Sequence, residues 1–201
     1  KIIDQINLDK FESLKSSKKI PKAITKSQID EIFNSLNNSK SRNSKVYTMV
    51  LRLMFLSGLR VSEALKLKWS DLNINDFSLN IYGKGSKERK VYLTQDFSKQ
   101  LSLLKSNSIF IFHTKNKPIS TRTINKFLND SFKCGIINKS LSSHIFRHSF
   151  ATTMLENNAD IRHIQKLLGH SSISTTEIYT KVAKSLKKNV LDSYHPLKNK
   201  L

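Results

Sequence analysis

Along most of this chain apolar residues recur every three or four positions, but between Leu72 and Leu93 the period drops to two. That switch limits the fold. Phe77–Tyr82 and Lys90–Leu93 alternate apolar and polar residues on either side of GKGSKER, whose glycines favour a tight reversal. One hairpin is therefore expected inside an otherwise helical chain. Thr25 and Gln28 have the spacing of a capping box, and Ile29, Ile32, Phe33 and Leu36 follow at helical intervals. A second helix is expected from about Arg42 to Ser57, stopped by Gly58, with a short third one from Val61. Thr94 and Ser120 are expected N-caps for helices over about 95–105 and 121–134. Helices over about 143–157, 161–168 and 174–190 complete the reading, and Gly169 ends the middle one. The expected fold class is mostly α with a small antiparallel β-sheet, an α+β architecture.

Ile3, Ile6, Phe11 and Leu14 share a face of a further helix over 1–17, and the basic connector SSKKIPKAIT follows. This divides the chain into the end of an N-terminal helix and its linker over 1–20, a main domain over 21–183 and a tail over 184–201. The tail side carries Leu186 and Val190 on an amphipathic stripe.

The 35 basic residues outnumber the 15 acidic ones and give a net charge of +20, spread along the whole chain. A folded domain this basic is expected to face a polyanion. Cys134 is the single cysteine, so no intrachain disulfide can form. Its place in a helical pattern predicts a small buried apolar residue. The most apolar window, Val46–Leu59, is interrupted by Arg52 and too short to span a bilayer. The first twelve residues contain acids and lack an apolar block, so they do not read as a signal peptide. A cytoplasmic, nucleoid-associated protein without a membrane partner is expected.

The residues able to do chemistry cluster late in the chain. His144 and Arg147, three apart, share a helix face. Arginine can fork two hydrogen bonds to a phosphate, and histidine can move a proton near neutral pH. Alone, the pair would equally suit a capping histidine and a surface arginine. His144 and His148 have the spacing of two zinc-binding histidines, but Ile145 stands where that motif needs glutamate, so no metal site is expected. His170 follows Gly169 at a helix end, and Tyr179 lies nine residues later. A tyrosine nucleophile needs a base or a cationic setting to favour the phenolate. Arg60, Arg147 and Lys84 are candidates for that field. Glu63, three residues after Arg60, is placed to brace its guanidinium. Lys84, between Gly83 and Gly85, sits at the hairpin tip, without the spacing of a phosphate-binding P-loop.

Taken in order, GLRVSEAL, GKGSKERK, HIFRHSFAT and LLGHSSISTTEIYT resemble the catalytic domain of tyrosine site-specific recombinases, the family of phage integrases, Xer recombinases and integron integrases. The resemblance runs from about Ile20 to Ala183. It implies the tyrosine recombinase catalytic-domain fold for 21–183 and makes 1–20 a remnant of a core-binding domain. It implies that Arg60, Lys84, His144, Arg147, His170 and Tyr179 form the catalytic set, with Glu63 behind Arg60. Tyr179 would attack a phosphodiester, leaving a 3′-phosphotyrosyl link and a free 5′-hydroxyl. Arg60, Arg147 and His170 would stabilise the phosphate oxygens, Lys84 would protonate the leaving oxygen, and His144 would assist Tyr179. No metal, cofactor or ATP is implied.

Double-stranded DNA is the implied partner. Arg42, Lys87, Arg89, Lys90, Arg122 and Lys126 are expected on its backbone, and Arg122, Asn125 and Lys126 are the best candidates for reading bases. A homotetramer on paired sites is implied, monomeric without DNA, with tails exchanged between neighbours and with accessory recombination or cell-division proteins possible. The competing readings are a type IB topoisomerase-like or telomere-resolving enzyme, and a non-catalytic DNA-binding protein on the same scaffold.

Overall fold

The structure, a computed structural model, describes residues 24–39, 43–83 and 88–169. The expected helices over 1–17 and 174–190 lie outside them, as does the tail. Helices α1 (Lys26–Asn37), α2 (Ser44–Ser57) and α3 (Val61–Leu65) come first. A single 3-10 turn leads into strands β1 (Leu72–Asn73), β2 (Ser78–Tyr82) and β3 (Glu88–Tyr92). Then follow α4 (Gln95–Ser102), a minimal hairpin of β4 (His113–Thr114) and β5 (Lys117–Pro118), and helices α5 (Thr121–Lys133), α6 (His144–Glu156) and α7 (Ile161–Leu168).

The helix starts follow their caps. Thr25 accepts from the Gln28 amide while the Gln28 side chain reaches back, completing the capping box. Thr94 and Ser120 accept from the amides of Phe97 and Thr123. Gly58 ends α2 in a left-handed conformation at φ 67°. Helices α1, α2 and α6 surround the core. The Phe33 ring of α1 stacks on Phe146 of α6 with centroids 5.6 Å apart and tilts against Phe55 of α2 at 6.3 Å. Each fully buried side chain of this size, Phe146 or Leu53 for example, stabilises by about 1.5–3 kcal/mol. Arg52, the charge within the apolar α2 sequence, lies 5.8 Å from the Phe33 ring centre and donates to Gln100.

The three strands form one antiparallel sheet in the order β1-β2-β3. Leu79 pairs with Val91 and Ile81 with Arg89. Leu79, Ile81 and Val91 are buried, so the sheet presents this face to the core. Arg89 has the parity of Val91 and shares that face. Strand β3 begins at Glu88, two residues before the expected Lys90, because the Ile81–Arg89 and Tyr82–Glu88 pairs extend the ladder.

Three features differ from expectation. Strands β1, β4 and β5 are two residues each, too short to show a period; Lys115 and Asn116, both at positive φ, make the turn between β4 and β5. Helix α4 stops at Ser102, where the Ser102 hydroxyl donates back to the Ser98 carbonyl. Cys134, expected in the core, is exposed. The buried stripe Ile124, Leu128, Ser131 would have continued near Cys134, but α5 ends at Lys133 and Cys134 is its C-cap.

Candidate functional site

Short α3 begins where the left-handed turn at Gly58 redirects the chain. Arg60 is its N-cap residue, and the Glu63 carboxylate accepts from the Arg60 backbone amide at 2.8 Å. The same carboxylate pairs with the Arg60 guanidinium, Nη1 to Oε1 at 3.0 Å. The expected brace behind Arg60 is present, and it does more than brace Arg60. Arg89, reaching in from β3, donates to both Glu63 oxygens at 3.2 and 2.8 Å. Arg147, from the first turn of α6, brings Nη1 to 3.8 Å from Glu63 Oε2. Three guanidiniums from three elements thus surround one carboxylate.

The end of α7 supplies the second half of this frame. The carbonyls of Leu167, Leu168 and Gly169 accept in turn from Arg89 Nε at 3.1 Å, Arg147 Nη2 at 2.8 Å and Arg60 Nη2 at 3.4 Å. The last carbonyls of a helix lack partners within it and carry its negative dipole end, so cations are favoured there. Arg147 also donates to the Gly58 carbonyl at 2.8 Å. The ends of α2 and α7 therefore hold one guanidinium between them. Asp160 fixes the other end of α7 by accepting from the Arg162 amide.

The cluster is two charges positive, and its members differ in access. Side-chain exposure is 39% for Arg60, 15% for Arg89, 7% for Glu63 and 6% for Arg147. Burial by itself pushes the Glu63 carboxyl up. The hydrogen bonds and charge of Arg89, with the Arg60 amide and guanidinium, outweigh it and leave Glu63 below the usual carboxylate range. An open cleft of about 1330 Å³ adjoins the cluster; Arg60, Glu63, Arg89, Tyr82, Lys166 and Gly169 contribute to its wall. His144 is the exposed first residue of α6, one turn before Arg147. Lys84, His170 and Tyr179 lie outside the described residues, as do Arg42 and Lys87.

The candidate DNA contacts separate. Arg122 and Lys126 are exposed on α5, and Lys90 is exposed and paired with Asp76 at 3.0 Å. Asn125 instead accepts from the Ser143 amide at 3.0 Å and so supports the start of α6. Arg89, expected on the DNA backbone, has its guanidinium committed to Glu63 and Leu167 within the cluster. The signal that could have found it is parity: an arginine two residues before an inward valine, on a strand of a half-buried sheet, needs a buried partner.

The carboxylate-braced Arg60 lines an open cleft, an arrangement whose guanidinium can bind an oxyanion. The chain belongs to the phage integrase family, whose model matches residues 22–185. It is 39% identical over 173 residues to a tyrosine recombinase of Agathobacter rectalis, covering 81% of this chain and 56% of that protein. It is 34% identical over 198 residues to the tyrosine recombinase XerD of Staphylococcus saprophyticus, covering 92% of this chain and 66% of that protein. The solved XerH site-specific recombinase, in a post-cleavage complex with palindromic difH substrate, shares the fold. Its TM-score is 0.72 at 23% identity, over 87% of this chain and 53% of that one. The chain thus spans less than two thirds of the length of these relatives.

Proposed function

We propose that this chain is the catalytic part of a site-specific DNA recombinase that cuts and rejoins DNA through Tyr179. The observation that carries this reading is the convergence of Arg60 and Arg147 on Glu63, at 3.0 and 3.8 Å, from segments more than eighty residues apart. In a family whose members are named recombinases, such a pair is suited to the non-bridging oxygens of a phosphodiester. Charge developing there in the transition state meets donors already held in place, which is usually the largest catalytic contribution. Tyr179 attacks the phosphorus in line, the O5′ bond breaks, and a 3′-phosphotyrosyl link forms. Lys84 gives the leaving oxygen its proton, and His144 takes the phenol proton. His170 joins the two arginines on the phosphate. The bond energy is kept in the covalent link, so a 5′-hydroxyl can reverse the step without ATP.

In this reading residues 21–183 form the catalytic domain and 1–20 join it to a core-binding domain. Residues 184–201 dock on a neighbour in a tetramer assembled on paired DNA sites. The net charge of +20 supports duplex DNA as the partner. Integration or excision of a mobile element and resolution of chromosome dimers both fit this chemistry, with the nucleoid as the place of action. The test is a duplex nicked beside the scissile phosphate, which traps the covalent intermediate. An adduct resistant to SDS, insensitive to EDTA and absent with Tyr179→Phe is expected. An adduct that survives Tyr179→Phe overturns the assignment.

A further inference from the structure

The arginine that the sequence pattern places on DNA is occupied elsewhere, and that occupation has a consequence for the reaction. Arg89 is the one charged residue among Leu79, Ile81, Arg89 and Val91 on the inward face of the β2–β3 ladder. A guanidinium on such a face is costly unless it is fully paired. Here Nη1 and Nη2 meet the two Glu63 oxygens and Nε meets the Leu167 carbonyl. The side chain stays 15% exposed at the cleft wall, while these three bonds hold the guanidinium against the protein. A Cβ on Gly169 would lie 3.2 Å from Arg89 Nη1 and 3.4 Å from Cζ, so the guanidinium lies close against the turn at the end of α7.

We propose that Arg89 is a positioning residue of this site, one that holds Glu63 and the end of α7 and through them sets Arg60 and Arg147 without touching the substrate. The inference rests on the function proposed above. Its physical content is a division of labour among three arginines. Arg60 keeps the most exposed guanidinium and looks into the cleft. Arg147 is buried between two helix ends. Arg89 links the hairpin to both, because Glu63 and the carbonyls of Leu167–Gly169 are shared by the other two. It also ties β3 to the turn immediately before His170, and Lys84 lies four residues before β3 in the sequence. Without Arg89, Glu63 is left to Arg60 and Arg147 alone, and the Leu167 carbonyl loses its donor.

The full chain with Arg89→Ala and with Arg89→Lys tests this. The probe is a pool of nicked duplexes with random flanks, restricted to those that the unaltered protein captures covalently. Arg89→Ala is expected to slow single-turnover adduct formation by about 100-fold while duplex affinity changes less than about threefold. Free guanidinium ion is expected to restore part of the lost rate, and Arg89→Lys, the variant less prone to unfold, to retain an intermediate rate. Carbon-13 NMR of the Glu63 carboxyl supplies a second readout, and its titration should move up toward the ordinary carboxylate range in both variants. An unchanged rate, a rate and affinity that fall together without rescue, or an unmoved Glu63 titration each overturns the proposal. If the unaltered protein captures no duplex, the proposed function fails, and the Glu63 titration still decides whether Arg89 governs this carboxylate.

Discussion

The carbonyl of Gly58 accepts from Arg147 Nη1 at 2.8 Å, so the residue that stops α2 also holds the guanidinium buried beneath the site. Gly58 is left-handed at φ 67°, and a Cβ there would lie 2.5 Å from the Phe150 ring and 2.8 Å from Leu168. Gly58→Ala combines backbone strain with overpacking, and a loss of about 3 kcal/mol in unfolding free energy is expected. Denaturant melts measure it. Adding Phe150→Leu should recover part of the loss. A loss below about 1 kcal/mol would mean that neither strain nor crowding operates at this turn.

Glu63 predicts a pH dependence. Its folded-state pKa lies below the ordinary value of 4.5, since Arg89 and Arg60 together outweigh burial. A depressed carboxylate contributes its stability above the unfolded pKa and loses it as pH falls through the folded pKa. Glu63→Gln leaves the guanidiniums without a counter-charge and should cost about 3 kcal/mol at neutral pH. The gap between the two proteins should narrow once the pH drops below about 4.5. Unfolding free energies from pH 7 to pH 3 check this, and a constant gap would refute it.

How much of this was legible beforehand depended on range. Thr25, Thr94 and Ser120 satisfy amides three residues away, and Gly58 and Gly169 stop the helices they follow, so local chemistry located these elements. The Arg60–Glu63 pair was visible for the same reason, Arg60 being the N-cap of α3 and Glu63 lying in its first turn. The sharing of Glu63 with Arg89 and Arg147 was not, because it depends on β3 and α6 arriving at α3. Asn125 shows the same limit: on α5 it is one polar residue beside Arg122 and Lys126, and only the approach of Ser143 assigns its oxygen. Two-residue strands carry too few positions for any alternation to register.

Cys134 offers a direct check on the end of α5. An exposed thiol beyond the last helical residue should react in the native state with a disulfide reagent such as DTNB, giving one equivalent in a single fast phase. Reaction only after unfolding would restore the buried position that helical spacing alone suggests.

Helix α5 should separate folding from DNA binding within one turn. Asn125→Ala removes the acceptor of the Ser143 amide and is expected to cost about 1 kcal/mol of stability. Arg122 and Lys126 are exposed, and among the described residues no ion pair ties them to the fold, so alanine there should leave the melting temperature nearly unchanged. If they meet DNA phosphates, each should weaken binding across sequences and lower the slope of log affinity against log salt by about 1. A loss confined to particular base pairs would instead assign them to base reading. Fluorescence anisotropy on duplexes at several salt concentrations distinguishes these outcomes, and equal binding by both variants and the unaltered protein would remove α5 from the DNA interface.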